Sequence, residues 1–197
     1  MARDPPSATQ RDLDEALAAS FPASDPPSMT QPVIATAPRD TDEASASLLN
    51  LYRVVPRQDS DTPFDRTSNR SGGRWTSPGV PAVYASLSPA GAVLEFLVHL
   101  DGEKPVDLVL VKAALPEDCL VVAAALPLLW REFPYRADVR AFGDRWISSR
   151  RSVALQVPSA LCDEVNNLLL NPDHPDASRI RIASVDAFTL DPRLLAH

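Results

Sequence analysis

Apolar and polar positions divide the chain from about residue 48 onward into short blocks. LLNLYRVV (48–55), PAVYAS (81–86), PVDLVLVKAAL (105–115), SVALQVPS (152–159), NNLLLNP (166–172) and IRIASV (180–185) predict strands separated by Pro and Asn/Asp turns. Two blocks carry helical periodicity instead. LSPAGAVLEFLVHL (87–100) has Ser88 placed to cap and Pro89 at the first helical position, with Ala90, Val93, Leu94, Leu97 and Val98 as its apolar stripe. RADVRAFGDRWISSR (136–150) is the second. Strands outnumber helices and do not alternate with them, so the expected fold class is α+β rather than doubly wound.

Before residue 46 the pattern fails. Seven of the 20 prolines precede residue 40, no glycine precedes Gly72, and residues 1–45 hold three basic against eight acidic side chains. Such a segment predicts a mostly disordered acidic arm, residues 1–45, leading to one globular domain over 48–195. Within the arm, DLDEALAASFPASDPPS puts Leu13, Leu17 and Phe21 on one helical face before Pro22 ends it.

Charge narrows the function. The formal net charge is −7, but outside the arm 16 basic side chains face 18 acidic ones, a near-neutral balance that argues against nucleic-acid or anionic-lipid binding. No apolar run long enough to span a membrane occurs, and the polar N-terminus lacks a secretory h-region, which predicts a cytoplasmic protein. Cys119 and Cys162 lack CxxC spacing and are expected to be reduced.

Candidate chemistry begins at SGGRWTSPGVPAVYAS (71–86). The paired glycines allow positive φ and a close approach to the chain, Arg74 can fork onto a phosphate or carboxylate, and Trp75 offers a flat apolar face. The quartet fits a loop around a planar anionic ligand, but on this motif alone a tight turn with an Arg salt bridge and a core tryptophan is the favoured reading. Glu95 stands beside the apolar stripe of its helix, as a paired rim carboxylate or as a half-buried one retained for function. Ser159 closes a strand, but no GxSxG elbow accompanies it. His99, His174 and His197 lack metal-ligand spacing, and no GxGxxG or GxxxxGK[ST] is present.

Taken in order, Tyr52-Arg53, Gly72-Gly73-Arg74-Trp75, Ser77-Pro78-Gly79, Tyr84-Ala85-Ser86, Leu94-Glu95, Val157-Pro158-Ser159, Asn171-Pro172 and Asp191-Pro192-Arg193 resemble the RES domain, over residues 48 to 195. The resemblance implies an ADP-ribosyltransferase-like mixed sheet core with a few helices. It further implies a bacterial toxin of a toxin–antitoxin pair that consumes NAD, by hydrolysis or phosphorolysis of the nicotinamide–ribose bond, with NAD as substrate and no metal. Transfer of ADP-ribose to a specific protein, and a non-catalytic NAD-binding relative, are the alternatives. An Xre-type antitoxin that occludes the pocket is the implied partner, and a homodimer within that complex is compatible with it. By matching motif, Arg53 and Arg74 would hold the NAD phosphates or shape the pocket, and Tyr84 would stack on nicotinamide or line its slot. Glu95 would bind the ribose and stabilise the oxocarbenium-like transition state, Ser159 would be a polar pocket residue, and Asn171 a supporting one. Thr76 departs from the pattern, which has asparagine after the Gly-Gly-Arg-Trp run.

Overall fold

A computed structural model describes residues 47–66, 71–100, 105 and 107–195. The expected arm, with the helix predicted over Leu13–Phe21, lies outside the described residues. Among the described residues the chain forms β1 (Leu48–Pro56), β2 (Val83–Ser86), α1 (Pro89–Val98), β3 (Leu108–Pro116), β4 (Leu120–Val122), α2 (Ala137–Ser149), β5 (Ala154–Pro158), β6 (Asn166–Leu170) and β7 (Arg181–Phe188), with short 3-10 turns between them. The strands make one mixed sheet in the order β4-β5-β6-β2-β1-β3-β7, antiparallel except for β4 beside β5. The α+β expectation holds. Strand β4, three residues long, carries no period of its own and went unpredicted.

Buriedness explains the strand patterns. Leu168, Leu169 and Leu170 are all buried because β6 is covered on both faces. Leu168 and Leu170 pack with Leu51, Val83 and Ala154, while Leu169 packs with Trp75 and Trp146 on the other side. Strands β1 and β3 pair along their whole length, from Leu48 opposite Pro116 to Pro56 opposite Leu108. By contrast β1 meets β2 in register only at Tyr52 opposite Ser86. This narrow join between two halves of the sheet is where the cavity described below opens.

Helix α1 begins as its sequence predicts, with the Ser88 hydroxyl accepting a hydrogen bond from Gly91 N at 3.0 Å. Its buried face is not the predicted stripe. Gly91 and Ala92 are buried, whereas Leu94 and Val98 are 37% and 53% exposed. The cause is steric: a Cβ on Gly91 would stand 2.3 Å from Ser86 Oγ and 2.9 Å from Val165 Cγ1, so the helix lies down on its glycine. That rotation puts Ala92, Glu95, Phe96 and His99 on the wall of the cavity.

Candidate active site

The loop from Gly72 to Gly79 is built as a clamp. Gly72 has φ +71°, and a Cβ there would lie within 2.7 Å of the backbone of residues 76–78, so only glycine closes this turn, with Gly73 N bonded to Thr76 O at 2.9 Å. Helix α2 holds the loop from below through three residues spaced along one face. Arg140 Nε donates to Gly73 O (3.1 Å). Gly143 lets Trp75 O come so near that a Cβ would be 1.9 Å from it. Asp144 accepts from both Ser77 N (2.9 Å) and Ser77 Oγ (2.6 Å). Trp75 is 3% exposed, stacked on Trp130 at 5.4 Å and tilted against Phe142 at 6.0 Å, which makes it a core residue.

With Trp75 anchored inward, the side chain that the loop brings to the cavity is Arg74. Its Nη1 donates to Trp130 O (2.8 Å) and Glu132 O (3.0 Å), and its guanidinium stands 4.9 Å from the Tyr135 ring centroid. Arg140 approaches the same ring at 5.6 Å. Tyr84, on β2, also lines the cavity, but its hydroxyl serves the loop: it accepts from Trp75 N (3.1 Å) and shares a 3.0 Å bond with Thr76 Oγ1. Burial pushes this hydroxyl up to about 12, against the pull of those hydrogen bonds. Thr76, fully buried, thus fills its place by bonding Tyr84.

Arg53, from β1, lines the cavity and donates through Nη1 to Pro63 O at 2.8 Å. Burial lowers its guanidinium to about 10, partly countered by Asp59, so it stays cationic at neutral pH. The cavity holds about 610 Å³, within the roughly 300–1,000 Å³ typical of ligand sites. Cationic Arg53 and Arg74 and the carboxylate of Glu95 face into one space.

Glu95 is fixed by two donors that share one oxygen. Ser159 Oγ donates to Oε1 at 2.8 Å and Asn167 Nδ2 donates to the same atom at 2.6 Å. Ser159, 1% exposed, also receives Leu161 N on its hydroxyl (3.1 Å), and its own N–H donates to Val165 O (2.9 Å). It is not among the residues that line the cavity, and its hydroxyl is engaged by Glu95 and by Leu161 N. Asn171 is placed elsewhere. Buried at the end of β6, it donates through Nδ2 to Ile147 O (3.0 Å) and accepts from Asp173 N (3.1 Å), tying the end of α2 to the sheet. It does not line the cavity, and its amide is spent on structure. Among the lining residues that escaped the sequence reading are Tyr135, in an irregular loop without periodicity, and Asn167, inside a strand of leucines.

Three kinds of similarity bear on this site. The family model of the RES domain matches residues 50–191. Among curated proteins, a Prs ADP-ribosylating toxin of a Sphingobium species is 40% identical over 131 residues, covering 64% of this chain and 81% of that protein. A Toxin Res of Pseudomonas putida is 39% identical over 129 residues (64% of this chain, 87% of that one), and a Toxin Res of Yersinia enterocolitica is 34% identical over 150 residues (73% and 98%). Among solved structures, the M. tuberculosis MbcT-MbcA toxin-antitoxin complex contains a chain that superposes with a TM-score of 0.55 at 14% identity, over 76% of this chain and 88% of that one, a likeness of fold.

Proposed function

The chain belongs to the RES domain family, and we propose that it is the toxin of a bacterial toxin–antitoxin pair, breaking the nicotinamide–ribose bond of NAD. The observation that carries this reading is the Glu95 carboxylate, held on the cavity wall by two donors on Oε1 in a space that also receives Arg53 and Arg74. In NAD the leaving nicotinamide is already cationic, so little acid catalysis is required. As the C1′–N bond breaks, its electron pair neutralises the pyridinium, and positive charge moves to the ribose. A fixed carboxylate beside that carbon stabilises the developing oxocarbenium, while two guanidiniums fix the pyrophosphate. An acceptor then adds to C1′ and gives up a proton; with water the product is ADP-ribose. The reaction assigns no task to a metal.

A second reading is favoured by the printed name of the Sphingobium relative, an ADP-ribosylating toxin: the acceptor is then a protein side chain. The solved neighbour stands in a toxin–antitoxin complex, which supports an antitoxin as partner; the family resemblance adds that it is of Xre type, and a dimer within the complex is compatible. Incubation of the protein with NAD labelled in its adenylate, alone and in lysate, separates these readings. Free ADP-ribose or its phosphate indicates degradation, a discrete labelled band indicates transfer, and neither product with no nicotinamide released overturns both.

A further inference from the structure

Resting on that reading, we infer that Asn167 is a substrate-binding residue whose Oδ1 accepts a hydrogen bond from a hydroxyl of the ribose at which the bond is cleaved. Its amide orientation is dictated by Glu95. The 2.6 Å contact to Oε1 must be made by Nδ2, because the flipped amide would set two acceptor oxygens against each other. Oδ1 is therefore turned away from Glu95. Asn167 lines the cavity and is 7% exposed, and Oδ1 is a buried side-chain acceptor with no partner among the described residues. An acceptor taken from water and given no donor is a destabilising element in a native fold, and a ligand donor would remove that penalty.

The register says what surrounds it. Asn167 lies opposite Ser86 on β2, so both side chains stand on one face of the sheet, and Ser86 is also on the cavity wall. Among the described residues the Ser86 hydroxyl is engaged only by a long 3.5 Å contact from Ser88 N. Meanwhile both donors to Glu95 use Oε1, and no described residue donates to Oε2. Glu95 Oε2 and Asn167 Oδ1 are thus two acceptors without a described donor, carried by two side chains that line one cavity. Vicinal hydroxyls of a ribose supply two donors, one for each oxygen, whereas phosphates and an aromatic ring face supply none.

The same side chain thereby orients the carboxylate and reads the sugar. A double cycle separates the two roles. kcat/KM for nicotinamide release is measured for wild type and Asn167→Ala, each with NAD and with its analogues lacking the 2′- or the 3′-hydroxyl of the nicotinamide ribose; Asn167→Ser replaces the alanine variant if its melting profile shows misfolding. Loss of Glu95 orientation weakens the contact to the hydroxyl that Glu95 itself accepts, and a Glu95→Gln arm on the same three substrates identifies that hydroxyl. The expected result is that the Asn167 substitution costs about tenfold more on NAD than on the other deoxy analogue, the value of one hydrogen bond. Equal fold-losses on all three substrates, or a penalty relieved only on the analogue to which Glu95→Gln is insensitive, overturn the inference while leaving the function intact. A wild type that releases no nicotinamide overturns the function and this inference together.

Discussion

Ser159 Oγ donates a hydrogen bond to Glu95 Oε1 across 2.8 Å, although 64 residues separate the two in sequence. The contact joins the end of β5 to α1, and under the proposed reaction the serine is a positioning residue. Ser159→Ala is expected to lower kcat about tenfold or more with a smaller effect on KM, since a hydrogen bond to a charged group is worth about 1.5–3 kcal/mol. Rate and binding measured separately on NAD decide it. Activity as low as that of a Glu95 variant would instead make the hydroxyl a reacting group.

Gly143 is the place where α2 and the Arg74 loop touch. Alanine there gains about 1 kcal/mol of helix propensity but puts a methyl 1.9 Å from Trp75 O, a backbone atom that cannot swing aside. The clash wins. Gly143→Ala should destabilise by about 1–3 kcal/mol and alter the near-ultraviolet dichroism of the Trp75–Trp130 stack. In Gly79→Ala nothing stands within 4 Å of the new methyl, and only the φ of +83° opposes it, so that dichroism should be unchanged. Urea melts and spectra showing the reverse order would contradict the packing described.

Arg74 is oriented by two carbonyls and an aromatic ring, partners that suit a planar fork and not a point charge. Arg74→Lys should raise KM for NAD about tenfold or more while the fold persists. An unchanged KM would remove Arg74 from the ligand.

Tyr84 makes a pH-dependent contribution whose sign follows from its raised value. A tyrosine that ionises near 10 when unfolded and about 12 when folded adds stability that is fully present below pH 10 and lost as pH climbs toward 12. Between those limits wild type should lose more stability than Tyr84→Phe. Parallel losses in urea melts would show that the phenol is not buried as described.

Much of this was legible beforehand, for identifiable reasons. Ser88 and Pro89 announce a helix start by local chemistry, and the strands announce themselves by period. Periodicity misplaced the inner face of α1, because it counts apolar side chains and cannot see that Gly91 allows close contact and that Ser159 and Asn167 hold the half-buried Glu95. The resemblance placed a carboxylate, two arginines and a serine in order, and the fold sets Arg53, Arg74 and Glu95 around one cavity with Ser159 bonded to Glu95. Asn171 attracted notice through its neighbour Pro172, yet its amide is consumed by Ile147 O and Asp173 N. Asn167, four residues earlier, gave no local sign. Its significance depends on register with Ser86 and on a helix distant in sequence, which is tertiary information.

The central claim is that the carboxylate of Glu95 stabilises charge as the nicotinamide–ribose bond breaks. Nicotinamide release from NAD by purified wild type and by Glu95→Gln, an isostere that keeps the side chain's shape, tests it most directly. The account predicts measurable turnover by wild type and a fall of about 10²–10³-fold or more in kcat for the variant, with its melting profile preserved. Equal turnover by the two proteins, or none by wild type, would contradict it.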